Sequence, residues 1–104
     1  VSCDPLNPAP GCGASQHCFP TETGIPECGP AGFGTQYDLC ASATECAPIY
    51  ACVGIGLEAC CLQFCVDDFD CNLAIGETCN FLAPPVSVGP QNYGVCWDGL
   101  PCVI

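Results

Sequence analysis

Lysine, arginine and methionine are all absent from the 104 residues, and histidine and tryptophan occur once each. Against no fixed cation stand eleven acidic residues, so the formal charge is −11 at neutral pH. Nothing here can neutralise a phosphate, which excludes nucleic acid as a partner and disfavours anionic membrane surfaces. Trypsin-like proteases find no basic residue to cleave after, and methionine oxidation has no target. No apolar run approaches the roughly 18 residues a spanning helix needs, so no transmembrane segment is expected. The chain opens on Val1 and not on methionine, which reads as processed or excerpted sequence. There is no Asn-x-Ser/Thr sequon, so N-linked glycans are not expected; O-glycans on Thr21, Thr23 or Ser87 stay open.

What is present in excess is cysteine. The fourteen exceed the roughly 8–10% that marks a disulfide scaffold in a short chain, and the even count lets seven bridges close. Thiols at that density are kept as bridges only where the surroundings oxidise, so an extracellular or cell-surface location is expected. Half of the residues are hydrophobic, but that half includes the cysteines, and twelve glycines and eleven prolines interrupt long helices and central strands. Burial is therefore thin and cross-links must supply what it lacks. The expected fold is small and disulfide-rich, mostly loops with short β-hairpins and little helix.

The cysteines fall at 3, 12, 18, 28, 40, 46, 52, 60, 61, 65, 71, 79, 96 and 102, and a five-residue gap recurs among them. One disulfide-rich domain over 1–104 is expected, resolving into three small knots at 1–30, 38–60 and 61–104. An interlocked pairing of first to third and second to fourth cysteine in each knot predicts Cys3–Cys18, Cys12–Cys28, Cys40–Cys52, Cys46–Cys60, Cys65–Cys79 and Cys71–Cys96. Cys61 and Cys102 then close the last knot. Adjacent Cys60 and Cys61 point differently along the backbone and should serve different partners. The opening Val1-Ser2-Cys3 also fits the tail of a lipoprotein signal with Cys3 lipidated, a reading that orphans one other cysteine.

Local structure follows from the punctuation. Prolines make 4–13 and 82–91 read as polyproline-like loops, and 29–34 as a turn-rich linker. The best strand pair is 77–82 with 92–97, joined by a long proline-rich connection. Residues 37–46 and 56–65 read as a turn or two of helix each.

Candidate chemistry is sparse. His17 has no orienting carboxylate beside it and only Ser15 as a near nucleophile, so catalysis is not expected and the chain reads as no enzyme. Zinc is not expected either, because no Cys-x2-Cys pair occurs. In the acidic stretch, Asp68, Asp70 and Asn72 match the first three ligand positions of a calcium loop. Leu73 then occupies the required glycine position and Cys79 the final glutamate position. An irregular calcium site of Asp67, Asp68 and Asp70, with Glu77, is the one cofactor reading; the competing reading is Asx-turn chemistry with no cofactor. Among the aromatics, Phe69, Tyr93 and Trp97 are candidates for partner recognition, against packing over disulfides.

The third knot reads Cys61-Leu62-Gln63-Phe64-Cys65, then Asp68-Phe69-Asp70-Cys71 and Tyr93-Gly94-Val95-Cys96. This resembles small secreted cysteine-rich modules. Cys3-Asp4-Pro5, Gln16-His17-Cys18 and Cys28-Gly29-Pro30 resemble cysteine-rich surface proteins and lipoprotein ectodomains of the myxobacterial type. There is a further likeness to dickkopf and colipase proteins. The resemblance implies an exported, non-enzymatic surface module. Function is expected to be structural: a self-assembling subunit of a fibre, coat or surface layer, its partners copies of itself. The alternatives are a cell-surface binding module for a protein or glycan, and a protease inhibitor or toxin-like effector presenting Leu57 or Leu73.

Overall fold

Alternation of side chains along the strands organises the molecule, a computed structural model that describes residues 3–8, 11–13, 15–55, 58–100 and 102, and only the backbone of 83–85. The strands are β1 (Gln16–Phe19), β2 (Glu27–Pro30), β3 (Tyr50–Ile55), β4 (Glu58–Cys65), β5 (Thr78–Val88) and β6 (Gln91–Trp97). β1 and β2 form one antiparallel hairpin; the other four make an antiparallel sheet in the order β3-β4-β6-β5. The helical elements among the described residues are three short 3-10 turns, Ala43–Glu45, Asp68–Asp70 and Leu73–Ile75. The protein is thus a small, mostly β, disulfide-rich fold.

The sheet has two chemically different faces. Cys60, Leu62 and Phe64 of β4 share one side with Val95 of β6, and together they form the buried core. Ala51, Val53 and Ile55 of β3 pack against them from the same side. One residue out of phase, Cys52, Cys61, Cys65, Cys79 and Cys96 all fall on the reverse side. One face is therefore a hydrocarbon layer and the other a layer of cystine.

Seven bridges close: Cys3–Cys18, Cys12–Cys28, Cys40–Cys52, Cys46–Cys61, Cys60–Cys102, Cys65–Cys79 and Cys71–Cys96, with no free cysteine. Five agree with the interlocked scheme, and the expected Cys46–Cys60 and Cys61–Cys102 are exchanged. The reason is parity. Cys60 lies on the apolar face, where Cys102 packs, whereas Cys61 lies on the cystine face, beside Gly34 and Cys46. The Cys3 sulfur is held by Cys18, which leaves it unavailable for a lipid thioether. Seven cross-links belong to an oxidising environment. No described helix is long and apolar enough to cross a membrane.

Local expectations need four corrections. The stretch 82–91 is not a loop: β5 runs to Val88, and a two-residue turn, Gly89-Pro90, leads into β6. Gly89 takes the positive φ of 56° that the first position of such a turn favours. Pro84 and Pro85 are accommodated because β5 is an edge strand whose ladder is irregular between Phe81 and Val86. Residues 58–65 are β4 and not helix, since the apolar side chains there alternate between two buried layers; Gly56 and Leu57 lie outside the described residues. Of 37–46, only Ala43–Glu45 is helical, and as a 3-10 turn.

The segment 29–34 is not a free linker. Gly32 donates its N–H to the Cys46 carbonyl at 2.8 Å, Gly34 donates to Glu45 at 2.8 Å, and Ala47 donates back to Gly34 at 2.8 Å. The first hairpin is fastened elsewhere too. Thr21 and Ser87 exchange backbone hydrogen bonds at 3.1 and 2.8 Å. His17, fully buried and stacked on Phe19, sets Nε2 at 2.8 Å from the Ala43 carbonyl and Nδ1 at 3.2 Å from that of Pro48.

Candidate functional site

Three places on this frame carry polar or apolar chemistry beyond packing. The first is the acidic stretch. A carboxylate oxygen of Asp67 accepts from the Phe69 N–H at 2.9 Å, one of Asp68 from Cys79 at 2.8 Å, and one of Asp70 from Val66 at 2.8 Å. Each aspartate thus caps a different backbone donor around the Asp68–Asp70 turn, the Asx chemistry set against calcium above. Among the described residues, the sets with ligand atoms converging within 4.8 Å are cysteine trios, and every one of those sulfurs is in a bridge. Phe69 projects from this turn and is 87% exposed.

Tyr93 and Trp97 do not join Phe69 in a platform. Both share the core-facing parity of Val95 on β6. Tyr93 is buried and donates its O–H to Asp4 at 3.4 Å; Trp97 is half-buried and donates Nε1–H to the Leu100 carbonyl at 2.8 Å. Burial, then the Asp4 charge, pushes the Tyr93 phenol upward.

The second place is a polar cavity of about 470 Å³ on the cystine face, lined among others by Gln36, Tyr37, Gln63, Asn72, Ile75 and Glu77. Glu77, named only as an accessory calcium ligand above, is its centre and is 4% exposed. Its carboxylate accepts from the Asn72 N–H at 3.0 Å and from the Gln36 amide at 3.4 Å. Gln36 also donates to the Cys96 carbonyl at 2.8 Å and accepts from the Gln63 N–H at 2.7 Å, so one side chain ties two strands. Tyr37 stands beside it with φ at 69°, a conformation bulky residues rarely adopt. Its N–H donates to Cys61 at 2.8 Å, and its hydroxyl accepts from the Asp98 N–H at 3.1 Å.

Burial, reinforced by Glu77, pushes the Tyr37 phenol from 10 to about 12. The folded state then keeps a proton that the unfolded chain releases near pH 10, so stability holds below that value and falls as pH climbs toward 12. Denaturant midpoints taken from pH 9 to 11 should drop, with a smaller drop in Tyr37→Phe. An identical decline in both proteins would rule Tyr37 out as the cause.

The third place is an apolar groove of about 260 Å³ on the hydrocarbon face, where Phe19 of β1 overhangs Ala51, Val53, Phe64, Leu82 and Val86. Among the described residues its lining contains no ionisable side chain. Neither cavity was visible in the sequence, because each draws residues from segments that only strand pairing and the bridges together bring into contact. Comparison with protein-family models, with curated proteins and with solved structures finds no match.

Proposed function

We propose that this protein is an extracellular structural protein that assembles with copies of itself, as a subunit of a fibre, coat or surface layer. The observation that carries the reading is the apolar surface. Phe33 is 95% and Phe69 87% exposed, and Ile25, Leu39, Leu73, Ile75, Phe81 and Leu100 are each more than half exposed. Bulky apolar side chains left on so small a surface support a role in contact with other molecules. The cross-linked frame suits a load-bearing or weather-exposed part, and the absence of basic residues removes the sites of trypsin-like attack. The non-enzymatic reading is supported by His17, whose ring is sealed inside the fold between two carbonyl oxygens.

Sedimentation velocity and negative-stain microscopy of the oxidised protein test the proposal, with salt raised stepwise in calcium and in chelator. Assemblies should grow as salt screens the repulsion between subunits carrying −11 each. Loss of assemblies in chelator would assign Asp67, Asp68 and Asp70 a bridging calcium. Monomers under every condition would sink the structural reading. The polar cavity around Glu77 favours the second reading, a surface module that binds a glycan or protein group rich in hydrogen-bond donors.

A further inference from the structure

We infer that the contact between copies is a knob and a hole: Phe33 of one copy seats in the apolar groove of another. The inference rests on the assembly reading above and names the contact that reading requires.

The knob is built by its neighbours. A side chain at Gly32 would place its first carbon 2.5 Å from the Thr44 carbonyl oxygen, and one at Gly34 would come within 2.8 Å of the Cys61 sulfur. Both glycines therefore press against the 44–46 backbone, where their hydrogen bonds hold them, and the bend between them turns Phe33 outward. A phenyl ring at 95% exposure on a segment fastened at both flanks loses little freedom on binding.

The hole matches it in size and chemistry. A dry cavity of about 150 Å³ lined by aliphatic and aromatic side chains is enough to hold benzene. The groove under Phe19 measures about 260 Å³, is lined by apolar side chains and opens to solvent. Phe33 of the same chain does not fill it, since that ring is almost wholly exposed.

Charge favours this pair over a contact made by Phe69. Every copy carries −11 and no cation, so two copies cannot dock through ion pairs and must avoid facing carboxylates. Residues 28–37 contain no acidic side chain, and among the described residues neither does the lining of the groove. Phe69, the next most exposed ring, is flanked by Asp67, Asp68 and Asp70, which would carry three negative charges to any contact it made. Beside the knob stand Asp38, whose carboxylate accepts from the Thr35 N–H, and Glu45, whose carboxylate accepts from the Ala41 N–H, so this contact brings fewer carboxylates to a second copy than Phe69 would.

The test is a sedimentation-velocity concentration series on wild type, Phe33→Ser, Ala51→Leu (which fills the hole from within) and Phe69→Ser. Intact mass under non-reducing conditions confirms seven bridges in each. Phe33→Ser and Ala51→Leu should each weaken self-association by about thirtyfold or more, the loss expected of a central aromatic anchor. Phe69→Ser should stay within about threefold of wild type. An equimolar mixture of Phe33→Ser with Ala51→Leu, which keeps one intact knob and one intact hole, should give a dimer that neither forms alone. Association of Phe33→Ser at wild-type strength overturns the contact while leaving assembly standing. A wild type that stays monomeric at every concentration and salt overturns both.

Discussion

Gly94→Ala is expected to separate β5 from β6 and to cost on the order of 3 kcal/mol or more. Gly94 sits inside β6, opposite Cys65 of β4 on one side and Phe81 of β5 on the other. A methyl group there would lie 2.5 Å from the Asn80 carbonyl oxygen, 2.7 Å from the Asn80 carbonyl carbon and 3.0 Å from the Phe81 α-carbon. All three are backbone atoms, so no rotamer change relieves the overlap and the strand itself must move. Moving β5 also pulls on Cys79, bridged to Cys65, and on the Asp68 carboxylate that holds the Cys79 N–H. Gly54→Ala in β3 is the control, because nothing lies within 4 Å of the added carbon; its effect should stay within about 0.5 kcal/mol. Urea midpoints of the oxidised proteins measure both. Equal midpoints for Gly94→Ala and wild type would mean that the Phe81–Gly94 register is wrong.

The second large effect concerns the longest cross-link. Cys60 and Cys102 are 42 residues apart, whereas Cys40 and Cys52 are 12 apart. If a bridge acts by restricting the unfolded chain, removing the long one as Cys60→Ala with Cys102→Ala costs about 4 kcal/mol and the short one about 3 kcal/mol. The long bridge also anchors Cys102 on the core cluster of Cys60, Leu62, Phe64 and Val95, so its loss should expose that end of the sheet. Hydrogen exchange at β4 amides reads the local part, and thermal unfolding the global part. A double variant that melts with wild type would show that the Cys60–Cys102 bridge adds nothing to stability.

How far the sequence revealed this molecule depended on whether the deciding information was local. Cys3–Cys18, Cys12–Cys28, Cys40–Cys52, Cys65–Cys79 and Cys71–Cys96 follow from a spacing rule within each knot. Cys60 and Cys61 were correctly read as facing apart, but which faced Cys46 depended on the phase of β4 in a sheet assembled from distant segments. The same missing phase made 56–65 readable as helix, since a short apolar run fits either period. Pro84 and Pro85 argued for a loop because an edge position, which excuses proline, is a property of the strand order and not of the strand. That the aspartates of the acidic stretch accept from loop amides was legible from residue types alone. The meeting of Gln36, Tyr37 and Glu77 had no local signal, because it depends on contacts between segments far apart in the chain. Phe33 was hidden in a glycine-rich segment whose composition is that of any turn.

The neighbouring cysteines of β4 have a consequence for how the chain matures. Synthesis runs from the amino end, so Cys46, Cys60 and Cys61 have all emerged while Cys102 is still some forty residues away. During that interval Cys46 has two adjacent suitors at almost equal loop length, and the wrong choice leaves Cys61 waiting for a partner that belongs on the opposite side of the sheet. Until β4 settles its phase, nothing distinguishes the two thiols by distance. A nascent chain released into an oxidising lumen would therefore gain from an isomerase that can reopen an early 46–60 link, and a host lacking one should accumulate a trapped isomer of identical mass.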